Sequence, residues 1–329
     1  MKTLVALVPV LIISYASSNL QAASPELEAA KTDGARGMIT LRVVDSKGIP
    51  VENAQVSAGF YNPHNRNDTS ERMTDTNGLC SITGVSDSQM RYTITKAGYY
   101  KTSEPYWFYR RGENCVQNGR WQPWNPTNAV VLKEVRHPIP MRAKRVDAPV
   151  PVQGTPAGYD LEVGDWVAPY GQGKQPDMLV TYEATIKAPL VFSNQLTIAT
   201  SNKLDGFIRM SKDKWSTFVS VYEAPTNGYL SPVVLSLDRT QEHIQKKEQL
   251  GESDYLIFRM RTVLDEKGNI ISASYGKIYG PIEYGELDND RGGVRFIYYL
   301  NPTDSDRNIE FDPSRNLVTN PGRTPVNMP

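Results

Sequence analysis

Apolar and polar residues alternate in short runs along most of the chain, and the three-and-four spacing of an amphipathic helix is nearly absent. In the first half the runs are MITLRVVD (38–45), NAQVSAGFY (53–61), LCSITGV (79–85), MRYTITKA (90–97) and NAVVLKEV (128–135). Clusters of Gly, Pro, Asn and Asp separate them, as turns separate strands. With no helices between, strands at this spacing predict an antiparallel β-sandwich rather than a βαβ sheet. The second half continues with MLVTYEATIKA (178–188), LVFSNQLTIAT (190–200), FVSVYEA (218–224), YLSPVVLSL (229–237), YLIFRMRTVL (255–264), NIISASYGKIYG (269–280) and VRFIYYL (294–300). Asp265-Glu266-Lys267-Gly268-Asn269 reads as a hairpin turn between two of these runs. The expected fold is therefore all-β, with a jelly-roll-like sandwich over 158–312. One stretch, RTQEHIQKKEQL (239–250), suits only a short surface helix. The basic, proline-rich segment 136–157 reads as a stiff linker, and 313–329 as a surface tail.

At the N-terminus, Met1 and Lys2 precede ten apolar residues, LVALVPVLII, and small residues follow at Ala22 and Ala23. That pattern predicts a signal peptide over 1–23. Its apolar core is too short to span a bilayer, and no later run approaches the ~20 residues a span needs. The mature chain is expected to start at Ser24, to lack a membrane span, and to work in the periplasm or outside the cell. Oxidising surroundings make a Cys80–Cys115 disulfide the expectation, worth about 4 kcal/mol by loop closure. The competing reading is two free, buried thiols.

The chain has 36 basic and 36 acidic residues, with 23 prolines and 24 glycines, a turn-rich globular composition in which nothing asks for nucleic acid. From Ser24 through Asp147 the charges sum to about +4, and beyond it to about −5, which suits an electrostatic contact between the halves. Some 306 mature residues suffice for two domains.

A more specific pattern lies in ITLRVVDSKGIPVENAQVSAGF, TDTNGLCSITGV and RYTITKAGYYK. A strand ends in Asp, a G-x-P-V-x-x-A-x-V strand follows, then a T-D-x-x-G turn, and then a strand of Y-x-x-x-x-x-G-Y form. Gly48, Pro50, Val51, Ala54, Val56, Thr74, Asp75, Gly78, Tyr92, Gly98 and Tyr99 fill these places. In this order of features, residues 37–135 resemble the carboxypeptidase regulatory-like domain. The resemblance implies a transthyretin-like, seven-stranded Greek-key sandwich serving as a non-catalytic module; it implies no chemistry.

Candidate chemistry is sparse. His64, His137 and His243 form no close pair for a metal site, and no histidine-glutamate zinc ligand pair of a carboxypeptidase occurs. The terminal Tyr-Arg-Gly-Ser of transthyretin-like hydrolases is also absent. Gly171-Gln172-Gly173-Lys174 lacks the rest of a phosphate loop and reads as a turn, and there is no G-x-S-x-G elbow. Asp165, Asp205, Glu223, Glu283, Asp288 and Asp290 offer acids for glycoside hydrolysis without a spacing that singles out two. Asp304, Asp306, Glu310 and Asp312 offer oxygens without an EF-hand spacing. Asn67-Asp68-Thr69 is a glycosylation sequon in a eukaryotic source.

The insertion 104–126 stands out, holding Tyr106, Trp107, Phe108, Tyr109, Trp121 and Trp124, together with Arg110, Arg111 and Arg120. Exposed rings stack on sugars and guanidinium groups bind carboxylates or phosphates. A ligand platform of Tyr106, Trp107, Trp121, Trp124 and Arg120 is one expectation, and packing of these rings into the sandwich is the other. Together the features predict an exported, non-enzymatic β-protein that binds a polysaccharide or another envelope protein, without cofactor or metal. Two alternatives stand beside it: a secreted carbohydrate-active enzyme with its acids in the second half, and an assembly module joined through strand edges.

Overall fold

The computed structural model describes residues 24–62, 68–109, 115–188, 191–288, 291–319 and 325–329. The predicted signal peptide, His64, Asn67, Arg110, Arg111 and Asp290 lie outside these residues, as does the side chain of Asp288. Among the described residues the chain is all-β apart from one helix, α1 (Pro25–Asp33), capped at Ser24, and a single 3-10 turn at Pro313–Arg315. Among the described residues no helix is long and apolar enough to cross a membrane.

The described residues of the first half form the strands β1 (Ala35–Asp45), β2 (Gln55–Phe60), β3 (Thr69–Met73), β4 (Leu79–Ser86), β5 (Gln89–Thr95), β6 (Thr102–Trp107), β7 (Val116–Gln117), β8 (Arg120–Trp121) and β9 (Thr127–Leu132). One sheet runs β4-β1-β8-β7 with β9 also on β1, and the other runs β3-β2-β5-β6. Their inner faces share one core, to which Ile39, Leu41, Val56, Phe60, Ile82, Tyr92, Ile94 and Trp121 contribute. The turn 74–79 is built as its residues dictate. Asp75 accepts the N–H groups of Asn77 and Leu79. Gly78 sits at φ 71° against the Val43 carbonyl, where a Cβ has no room.

The strands of the second half are β10 (Arg142–Pro149), β11 (Ala157–Asp160), β12 (Asp165–Trp166), β13 (Met178–Ala188), β14 (Val191–Thr200), β15 (Gly206–Ser211), β16 (Val233–Arg239), β17 (Ile244–Glu248), β18 (Asp254–Leu264), β19 (Ile270–Asp288) and β20 (Arg291–Leu300). They form two antiparallel sheets, β10-β20-β19-β18-β15 and β12-β11-β13-β14-β16-β17. The first of these is buried on both faces. Leu256, Phe258, Phe296 and Tyr298 point into the core between the sheets, while Tyr255, Ile257 and Tyr299 enter a second core beneath the loops. Two-sided burial explains the unbroken apolar runs YLIF and FIYYL.

Several expectations need correction. Segment 239–250 is a hairpin, because Thr240 closes a turn onto His243 and β17 pairs back on β16. Within 136–157, Arg142–Pro149 pairs with β20 along its whole length. β10 is an edge strand, where proline is tolerated. Residues 218–224 form no strand. Phe218 and Ser220 instead give their carbonyls to Lys133 of the first half, at 3.0 and 3.1 Å. The last residues dock: the Leu317 N–H donates to the Met141 carbonyl, Val326 is buried, and the Tyr279 hydroxyl donates to the Pro329 carbonyl. Cys80 and Cys115 are free and buried rather than bridged. Two strands, β1 and β8, lie between β4 and β7, a separation of about 14 Å at ordinary strand spacing and far beyond disulfide reach. Burial pushes the Cys80 thiol up from its ordinary pKa, which keeps it protonated and unreactive.

The halves meet in a polar and aromatic junction. Glu310, only 1% exposed, accepts hydrogen bonds from the Tyr100 hydroxyl (2.8 Å) and the N–H groups of Arg136 (2.9 Å) and His137 (2.6 Å). Tyr100 stacks on Phe218 at 4.9 Å, and Lys133 pairs with Asp213 at 3.4 Å. Beneath lies Lys277, fully buried between the rings of Phe218, Tyr279 and Tyr299, donating to the Ser220 hydroxyl at 3.1 Å. Desolvation drives its pKa well below the ordinary lysine value, with Lys133 adding to the effect and Glu310 opposing it. Ring faces return part of the cost of an ammonium there.

The folded state therefore holds fewer protons than the unfolded chain between the lowered pKa and the unfolded value near ~10.4, and stability rises with pH across that window. Lys277→Met is expected to stabilise the chain by about 1–3 kcal/mol at neutral pH. That gain should shrink as pH climbs toward the unfolded value. Urea midpoints of both proteins from neutral to mildly alkaline pH check this, and a gap independent of pH would refute it.

Candidate functional site

The structure separates the aromatic residues of the insertion by the face of the strand they occupy. Trp121, on β8, is 1% exposed; its indole N–H donates to the Ser86 carbonyl at 2.8 Å and its ring stacks on Phe108 at 6.2 Å. Phe108 continues the stack to Phe60 at 6.4 Å, with Tyr106 edge-on at 5.1 Å and half-buried. Trp124 is half-buried under the Arg120 guanidinium, 4.9 Å from its ring. Of the five residues expected to form a platform, only Trp107 presents a free, largely exposed ring, at 54%.

Trp107 belongs to a row that the sequence did not single out. It pairs with Gln89 across β5–β6, and the Gln89 carbonyl accepts the Tyr61 N–H at the end of β2. Phe60 and Phe108 point into the core, so their neighbours Tyr61 and Trp107 point outward, both about half exposed. Two strand spacings, about 10 Å, part the two rings. In the next row Gly59 pairs with Arg91 and Arg91 with Pro105. Gly59 has no Cβ, and nothing stands within 4 Å of where one would be. It opens the floor of a groove of about 320 Å³ lined by Gly59, Tyr61, Gln89, Arg91 and Pro105. Arg91 is exposed and makes no side-chain hydrogen bond or ion pair among the described residues, leaving its donors toward solvent. The arrangement offers two flat apolar faces, an amide and a guanidinium over an open floor. A glycine in mid-strand and an aromatic residue just past its end were the signals in the sequence.

The described acids among those weighed for catalysis do not converge. Asp165 accepts the N–H groups of Trp166 and Gln172, Glu223 pairs with Arg307, and Glu283 pairs with Arg295. Asp205 lies apart, in a cleft of the second half. The four oxygen-bearing residues near the C-terminus are also dispersed. Asp306 binds Asn301 and Asn308, Glu310 holds the junction, and Asp312 caps Ser314 and pairs with Arg315, while Asp304 is exposed. Gly171 to Lys174 form a turn held by Asp160 and Asp165.

No family model matches the chain, and no curated protein does. Solved structures similar to it include 3-chlorocatechol 1,2-dioxygenase from Rhodococcus opacus 1CP (11% identity, TM-score 0.26), matching 32% of this chain and 62% of the dioxygenase. BcpA, the major pilin subunit of Bacillus cereus, matches at 13% identity and TM-score 0.23 over 79% of this chain and 95% of the pilin. A streptococcal ancillary pilin matches at 11% identity and TM-score 0.20 over 85% of this chain and 62% of its own. At such scores these likenesses carry no argument about function.

Proposed function

We propose that the chain is an exported, non-enzymatic binding protein of the cell envelope or exterior, and that it holds an extended polysaccharide in the groove between Tyr61 and Trp107. In this reading residues 37–135 are a carboxypeptidase regulatory-like sandwich that carries the groove, and the leader 1–23 directs export. The observation that carries the proposal is a row of two exposed rings, Tyr61 and Trp107, with Gln89 between them, beside an open glycine floor and the Arg91 guanidinium in the next row. Sugar rings have one apolar face that stacks on such side chains and a rim of hydroxyls that the amide and guanidinium bind. The dispersal of the carboxylates favours retention over cleavage.

The chain from Ser24 onward, incubated with insoluble polysaccharides and peptidoglycan, is expected to be retained without releasing soluble sugar. Trp107→Ala and Tyr61→Ala should each weaken retention by about tenfold, or 1.4 kcal/mol. Both residues are surface side chains, so unfolding free energy should stay within about 0.5 kcal/mol. Retention unchanged in both variants would sink the groove; released sugar would mean an enzyme.

A further inference from the structure

A strand at the edge of a sheet offers unpaired N–H and C=O groups to any other strand, and natural proteins guard such edges with charge, proline, brevity or a covering segment. Among the described residues this chain guards all of its sheet edges but one. β3 carries Glu71 and Arg72, β10 carries Arg142, Lys144 and Pro149, and β17 reads IQKKE. β7 and β12 are two residues long. β6 contains Pro105 and gives its Ser103 N–H to the Trp215 carbonyl, while Phe207 of β15 exchanges both backbone bonds with Leu230. On uncharged β4 the carboxylates of Asp75 and Asp68 take the N–H groups of Leu79 and Val85.

β9 is the exception. It reads TNAVVL, and no charged residue occurs from Trp121 to Leu132. The Thr40 N–H donates to the Pro126 carbonyl, and Thr40 stands opposite Thr127 in the parallel ladder, which fixes the alternation that follows. Asn128, Val130 and Leu132 turn their backbone groups to β1, and Thr127, Ala129 and Val131 turn theirs away. Among the described residues no hydrogen bond reaches those outward groups, and no further strand pairs with β9. The same three residues have exposed side chains, Val131 at 51%, so the strand lies at the surface along its length. On its inner side Val130 and Leu132 sit in the core, and the Asn128 amide donates to the Tyr92 hydroxyl at 2.8 Å. β9 is thus held in register and presents a formed edge.

We propose that β9 pairs antiparallel with β9 of a second copy of this chain, about a two-fold axis at Ala129, joining two sheets into one. The strand is complementary to itself in this register. Ala129 faces its own copy, Thr127 faces Val131 and Asn128 faces Val130, so β-branched residues meet across the seam and like charges do not. An edge kept free of charge over its whole length suits a partner of the same sequence, for which any charge near the axis would meet its equal. The seam belongs to the sheet opposite the Tyr61–Trp107 groove and shares no residue with it.

Sedimentation equilibrium of the chain from Ser24 onward is expected to show a dimer with a Kd of about 10 µM or below. Ala129→Lys and Ala129→Glu each set like charges about 5 Å apart across the axis and should weaken the dimer about tenfold or more. The side chain at 129 is exposed, so far-UV circular dichroism should not change. Mixed in equal amounts, the two variants should form a heterodimer at least as tight as the wild type. Trp107→Ala should leave the dimer intact while it lowers polymer retention, so seam and groove fail independently. A monomeric wild type would leave the edge to a strand of another protein, and the self-pairing would be wrong. Dimers of wild-type strength in both Ala129 variants, or a mixture that stays monomeric, would equally overturn it.

Discussion

Trp121→Ala is expected to destabilise the chain by about 3–5 kcal/mol, the range for truncating a large buried aromatic side chain. The ring is the inner end of the stack Phe60–Phe108–Trp121, and its N–H holds the Ser86 carbonyl where β4 ends. Removal leaves a cavity against Phe108 and an unpaired carbonyl, and neighbouring rings are too rigid to collapse into the space. Trp121→Phe keeps most of the volume and loses the hydrogen bond, so a smaller loss of about 1–2 kcal/mol is expected. Chemical denaturation followed by circular dichroism measures both. The comparison with Trp107→Ala, expected near zero on the same assay, is decisive: equal losses at the two positions would mean that Trp107 is a packing residue and would remove the groove.

Glu310→Ala should cost a comparable 3–5 kcal/mol, through a different mechanism. The carboxylate collects three donors from the first half and the connecting segment, so its removal takes the acceptor from the Tyr100 hydroxyl and two backbone N–H groups in a part-buried junction. It also takes away the negative charge that opposes the desolvation of Lys277. Because these bonds join the halves, the loss should appear as uncoupling, with a single thermal transition splitting into two. Glu310→Gln retains one acceptor oxygen and should fall between the variant and the wild type. Tyr100→Phe deletes one donor and should cost about 1 kcal/mol. A single transition at nearly the original temperature in Glu310→Ala would show that apolar packing alone couples the halves.

Much of the architecture was legible because its causes are local. Alternation of apolar and polar residues marks strands through their two-residue period, and it located β1, β2, β4, β5, β13, β14, β18 and β20 within a few residues. Asp75 and Asp265 each fold a turn by bonding backbone N–H groups two and four residues on, an interaction contained in five residues. Errors arose where local character was ambiguous. Polar β17 has no apolar stripe to reveal a strand, and β10 ends in Pro149 and lies among further prolines that read as linker until its position at a sheet edge is known.

Composition and local periodicity suffice to mark the chain as a turn-rich β-protein and the aromatic cluster near 104–126 as its most unusual feature. Which of those rings meets solvent was decided only by the tertiary structure. Adjacent strand residues face opposite sides, so a shift of one residue exchanges Trp107 with Phe108. The register that prevents this is fixed by pairing with Gln89, and the partner ring Tyr61 arrives from a third strand. The same holds for Cys80 and Cys115, whose pairing looked natural in one dimension and is excluded by the two strands between them. Asp205 beside Thr262, and Lys277 beneath Phe218, are likewise contacts between residues more than fifty positions apart. No local period encodes such neighbours, because they follow from the order in which strands assemble and from the face each one turns inward.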